Sequence, residues 1–149
     1  VLLVPADEGL RGMYRKLGYE DCTSVGKLSC TAGETAVEIH DVGTEEYAIL
    51  RREFLPENAV LQEGLQLPFL AAQAQLFAGA DFLLAAYLNN DRLHGMELLG
   101  NEAAAPGILR ALGREKGIFQ TPGSNQPFSM IHKLHCAAVV PKYFGFSFD

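Results

Sequence analysis

Apolar and polar positions along this chain follow two different periods, and the changes of period divide it into elements. Val1 to Val4 is an unbroken branched apolar run of the kind that makes a buried strand. Pro5 to Gly9 turns the chain, and Leu10 to Leu17 has the apolar spacing of a short helix that Gly18 stops. A strand opens at Tyr19 and runs to about Leu28. Thr31 to Glu34 is a small polar linker, and a domain boundary is expected there. From Thr35 to Val42, Val37 and Ile39 alternate with Glu38 and His40 like a half-exposed strand. Thr44 is placed to cap a helix whose first turn carries Glu45 and Glu46, where negative charge suits the helix dipole. Tyr47, Leu50 and Phe54 follow at helical spacing, and Pro56 ends the run.

The second half is read in the same way. A helix is expected from near Leu67 to Gly79, with Pro68 in its first turn and Leu70, Ala74 and Phe77 on one face. Asp81 to Leu88 and Arg92 to Leu99 form a hairpin through Asn89-Asn90-Asp91, residue types that tolerate the positive φ of a tight turn. A loop from Gly100 to Pro106 leads to a helix over Gly107 to Leu112, which Gly113 stops. Gly117 to Gln120 is a short strand, Thr121 to Pro127 a turn-rich break, and Phe128 to about His135 another strand. The aromatic end, Pro141 to Asp149, is expected to dock as a last strand.

Composition narrows the class. The chain has 149 residues, 48% of them apolar and 20% charged, as in an ordinary globular domain. Its net charge of −6 and the lack of any Lys/Arg run argue against a nucleic-acid partner. No apolar run approaches the roughly 18 residues of a membrane span, so no membrane partner is expected. Cys22, Cys30 and Cys136 are odd in number and lack paired metal-type spacing, which fits reduced thiols in a cytoplasmic protein.

One segment carries a resemblance. Met13-Tyr14-Arg15-Lys16-Leu17-Gly18-Tyr19, set between two strands, resembles the tyrosine-bearing segment near the C-terminal end of GCN5-related N-acetyltransferases. That family moves an acetyl group from acetyl-coenzyme A to an amine. The resemblance implies an α+β acetyltransferase-like (GNAT) fold, a mixed sheet flanked by helices, here incomplete or degenerate. It also implies that the chain is the back end of something longer, because the segment comes at the very start. Residues 1 to 30 are then the tail of a first acetyltransferase unit, and residues 35 to 149 a second, degenerate copy. The ending Tyr143-Phe144-Gly145-Phe146-Ser147-Phe148-Asp149 is similar to the terminus of larger bacterial acetyltransferases of this class.

The resemblance also assigns roles. Tyr14 matches the family tyrosine that acts as general acid toward the departing thiolate. The family often has an Asn shortly before this helix, where this chain has Ala6-Asp7-Glu8. The family's pyrophosphate loop reads Arg/Gln-x-x-Gly-x-Gly/Ala between a strand and a helix. Its positional equivalent is Leu99 to Ile108, which makes Gly100, Asn101 and Gly107 the candidate cofactor-binding residues. That loop lacks the leading Arg/Gln, Glu102 puts a negative charge where phosphates would sit, and Pro106 removes one N–H donor.

Other chemistry-bearing residues have plainer readings. His132, His135 and Cys136 resemble a ligand cluster, but on a strand the two histidines point to opposite faces, so no metal is expected. His94, near Glu97, is a candidate base for an amine, with a structural role as the alternative. Arg11, Arg15 and Lys16 surround the opening helix and either meet cofactor phosphates or form a solvated face. Arg51 and Arg52, next to Glu53, read as a solvated helix face. The expected function is N-acetyl transfer from acetyl-coenzyme A to a small-molecule or peptide amine. The alternative is a non-catalytic acetyltransferase-like domain that holds an upstream acetyltransferase domain, dimerises or recognises substrate. A third reading has the opening unit, residues 1 to 30, complete the defective second copy, within one chain or between chains.

Overall fold

The computed structural model describes residues 1–135 and 139–147. Among them are eight strands and four α-helices in a mixed α+β arrangement. The chain forms two compact units: residues 1–26, 56–60 and 122–149 make one, and residues 27–55 and 61–121 the other.

In the first unit, β1 (Leu2–Leu3) and β2 (Glu20–Thr31, of which the part to residue 26 belongs here) both pair antiparallel with β8 (Gln126–Ile131). Between β1 and β2 lies α1 (Glu8–Lys16), which starts where the Asp7 carboxylate accepts from the Leu10 N–H at 2.8 Å. The carboxylate before the helix is thus consumed as its cap. Gly18, at φ +85°, lets the chain reverse into β2. Arg11 is buried and ties α1 to the strands, pairing with Asp21 and donating to the Pro127 and Phe128 carbonyls. Val25, Met130, Ile131, Tyr143 and Phe146 are buried in this unit, and the Thr23 and Ser129 hydroxyls pair at 2.7 Å.

The second unit has the strand order β2, β7 (Lys116–Pro122), β6 (Arg92–Gly100), β5 (Phe82–Asn89), β4 (Gln75–Ala78), β3 (His40–Asp41). Its neighbours from β3 to β6 are antiparallel, while β6 and β7 are parallel, joined by a crossover through α4 (Ala105–Ala111). One side of the sheet carries Phe77, Phe82, Leu84, Leu98 and Phe119, packed against Ile108 and Leu109 of α4. Each such side chain contributes about 1.5–3 kcal/mol by burial. The other helices are α2 (Thr44–Phe54), which packs on β4, β5 and β6, and α3 (Gln66–Gln73).

Several expected elements differ. Gly43, not Thr44, is the cap of α2, its carbonyl accepting from Tyr47 N–H at 2.9 Å; Thr44 is already helical. The helix expected to Gly79 stops at Gln73, because Ala74 is extended and Leu76 and Phe77 enter β4. Both are buried in a strand covered on its two faces, so no alternation marks it. Only His40–Asp41 of the strand expected over Thr35 to Val42 is in the sheet. Strand β8 begins at Gln126 and ends at Ile131, short of His135. The end of the chain makes one isolated bridge, Ala59 with Tyr143, in place of a strand; Phe148 and Asp149 lie outside the described residues.

Candidate functional site

Tyr14 belongs to the first unit, on the last full turn of α1. Its half-buried ring meets Tyr19 edge-on at a centroid distance of 5.4 Å, and Tyr19 meets His132 at 5.2 Å. The turn at Gly18 folds Tyr19 back, with the Tyr19 N–H donating to the Tyr14 carbonyl at 3.1 Å. Two of the nearby cations, Arg11 and Arg15, are already engaged. Arg15 holds Asp21 at 2.8 Å and Glu8 at 3.2 Å, and Arg11 is paired as described above. Hydrogen bonding from Arg15, then from Arg11, pulls the Asp21 carboxyl below its ordinary range.

Gly100, Asn101 and Gly107 belong to the second unit, at the carboxyl end of β6. There β6 and β7 pair from Arg92↔Lys116 to Gly95↔Phe119, although β6 continues to Gly100 and β7 to Pro122. The parting coincides with a bulge. Ala85 faces Glu97 and Ala86 faces Gly95, which leaves Met96 as the extra residue. A crevice beyond the carboxyl ends of parallel strands is where open α/β sheets take ligands.

The loop that follows is turned toward its own chain. Asn101 donates its N–H to the Asp81 carbonyl at 2.9 Å and its side-chain amide to the Asp81 carboxylate at 2.8 Å. Its side-chain oxygen accepts from Ala103 N–H at 3.0 Å and starts a 3-10 turn over Glu102–Ala104. Gly100 has φ +85°, and a Cβ there would strike the Asp81 carbonyl and the Phe54 ring. A Cβ on Gly107 would lie 2.6 Å from Val37 Cγ1. Both glycines therefore answer to packing within the chain, and Asn101 to Asp81. These contacts, with the Glu102 carboxylate, make a poor fit to a coenzyme A diphosphate.

Glu97 and Arg51 were not legible as a pair. Arg51 is 2% exposed and Glu97 fully buried, joined by Nε–Oε2 at 2.7 Å and Nη2–Oε1 at 2.9 Å. The Tyr47 hydroxyl donates to Glu97 at 3.1 Å, and Arg51 reaches Gln62 at 3.3 Å. The solvated face expected for Arg51 is thus corrected: only Arg52 is outside, paired with Glu63 at 2.6 Å. The bulge at Met96 is what turns Glu97 onto the α2 side.

His94 meets Tyr87 edge-on at 4.8 Å, and burial, then Lys27, lower its pKa. His132 follows the end of β8, its N–H donating to the Val1 carbonyl at 2.9 Å, so the strand geometry expected for His132 and His135 does not apply. Cys136 lies outside the described residues. Among the described residues no three His, Cys, Asp or Glu side chains gather as a metal site, and no helix is long and apolar enough to cross a membrane.

No protein-family model and no curated protein sequence matches the chain. Solved structures do. A GCN5-related N-acetyltransferase from Kribbella flavida superposes with a TM-score of 0.55 at 17% identity, over 87% of this chain and 41% of its own. A conserved protein of unknown function from Enterococcus faecalis V583, described as a probable N-acyltransferase, gives 0.56 at 14% identity, over 87% and 44%. A GCN5-related N-acetyltransferase from Anabaena variabilis gives 0.54 at 13% identity, over 87% and 44%. The chain spans about two-fifths of the length of these proteins.

Proposed function

We propose that this chain, which has the GCN5-related N-acetyltransferase fold, is part of an enzyme that transfers acetyl from acetyl-coenzyme A to an amine. In this reading Tyr14 of the first unit serves the chemistry, and the second unit, residues 27–55 and 61–121, is degenerate and does none. The fold likeness over 87% of the chain carries the activity. A fold hosts many chemistries, so the residue that narrows it is Tyr14.

The neutral amine nitrogen attacks the thioester carbonyl and gives up one N–H proton to solvent. The tetrahedral intermediate collapses to the amide as the C–S bond breaks, and the sulfur leaves as a thiolate. A phenol at the sulfur supplies the proton that thiolate takes up. Tyr14 sits on a helix braced by the Arg11 and Arg15 pairs to Asp21, and its ring packs edge-on against Tyr19. The acceptor is a small-molecule or peptide amine. The free thiols of Cys22 and Cys30 support a cytoplasmic setting, and a second copy or an upstream acetyltransferase domain is the expected protein partner.

The self-directed contacts of Asn101 and Gly107 support a non-catalytic second unit. A second reading places acetyl-coenzyme A on Gly100, Asn101 and Gly107, and the parting of β6 from β7 at Met96 favours it. The test is a thiol-release assay on the protein with and without Tyr14→Phe. Loss of the acid lowers kcat by about 10²–10⁴-fold while KM for acetyl-coenzyme A holds. An equally active Tyr14→Phe protein would overturn the role of Tyr14.

A further inference from the structure

On the second unit, a cleft of about 680 Å³ opens across β2, β7 and β6, at the end of β6 remote from Gly100. Its size lies within the roughly 300–1,000 Å³ of small-molecule sites. The strand register explains what lines it. Leu93 and Gly117 are direct partners and both are buried, so their neighbours Arg92, Lys116, His94 and Ile118 stand on the opposite, open side. Exposure alternates along β2 in the same way, bringing Ser29 and Thr31 to that side.

The charge is unusual for this protein. The chain carries −6, yet Arg92 and Lys116 are direct partners on adjacent strands. Like charges on neighbouring positions repel. The acid beside them is Asp91, 4.0 Å from Arg92 and 3.8 Å from Lys116, so one carboxylate faces two cations and a positive charge is left over. Next to them Ile118 is 48% exposed in mid-strand, an apolar surface continuous with the charged one. Ser29, Thr31 and Asn89 add hydroxyl and amide donors along the rim.

We propose that this cleft binds a small anionic ligand, a carboxylate or phosphate bearing a short apolar group, with the anion between Arg92 and Lys116 and the apolar part over Ile118. His94, held edge-on against Tyr87, is kept neutral near pH 7 by burial and by Lys27, and offers one ring N–H to the anion. A protonated amine is refused by the two cations, so the site does not take an acetyl acceptor in its charged form. The inference stands independently of the acetyl-transfer reading.

The experiment is a ¹H–¹⁵N NMR titration of the whole chain at fixed ionic strength with three probes: phenyl phosphate, benzoate and benzylamine. The expected result is saturable shifts at Arg92 to His94 and Lys116 to Ile118 with one or both anions and none with the amine. The Arg92→Gln and Lys116→Gln variants, whose spectra report that they are folded, bind the anions about tenfold or more weakly. The proposal is overturned if neither anion gives saturable shifts there. It is equally overturned if benzylamine matches the anions, or if both variants bind like the parent because another protein surface or a diffuse charge effect is responsible.

Discussion

Arg51 of α2 and Glu97 of β6 form a two-pronged ion pair, 2.7 and 2.9 Å, in which neither side chain is open to solvent. Removing one partner leaves a buried charge alone, at a cost of about 3–5 kcal/mol. Glu97→Ala and Arg51→Ala are each expected to lose that much in urea unfolding. The paired replacement Arg51→Met with Glu97→Leu is expected to lose much less than the sum, since it removes both charges together.

Gly107 tests whether the first turn of α4 is shaped by packing. Gly107→Ala puts a methyl 2.6 Å from Val37 Cγ1 and is expected to destabilise by about 1–3 kcal/mol. Adding Val37→Ala is expected to recover part of that loss in the same thermal melt. No recovery would mean that Val37 is not what the glycine avoids.

The acid side of the stability profile should involve Asp21. Its carboxyl is held low by Arg15 and Arg11, so the folded state favours the charged form. That contribution is present above the unfolded carboxylate pKa and is lost as pH falls through the lower folded value. Asp21→Asn is therefore expected to lower the melting temperature at neutral pH and to bring it closer to wild type in strong acid. Parallel melts across pH check this.

His94 has the opposite chemistry and the same sign. Burial, then Lys27, favour its neutral form, so unfolding takes up protons below the ordinary value of 6.5. Stability from this group is present above that value and falls as pH drops toward the folded pKa. An NMR titration of the His94 ring is expected to give a midpoint below 6.5, and a midpoint above it would contradict the burial argument.

Much of the fold could be seen in the residues alone. Asn89-Asn90-Asp91 announced the β5–β6 hairpin, and Tyr14 to Tyr19 with its flanking strands announced the helix turn and the family resemblance. Strand β4 could not be seen, because Leu76 and Phe77 are buried on opposite faces and leave no period. The Arg51–Glu97 pair was hidden for another reason. It joins residues 46 positions apart, through a bulge at Met96 that no local pattern signals. The loop glycines were visible, but their neighbours Val37, Phe54 and Asp81 were not.

The most direct test of the account is a titration of the ¹⁵N-labelled chain with acetyl-coenzyme A, followed at the amides of Gly100, Asn101 and Gly107. A non-catalytic second unit, its loop committed to Asp81 and Val37, predicts that these amides stay unshifted at millimolar cofactor. Saturable shifts there at micromolar cofactor would contradict it and move the acetyl-coenzyme A site into the second unit.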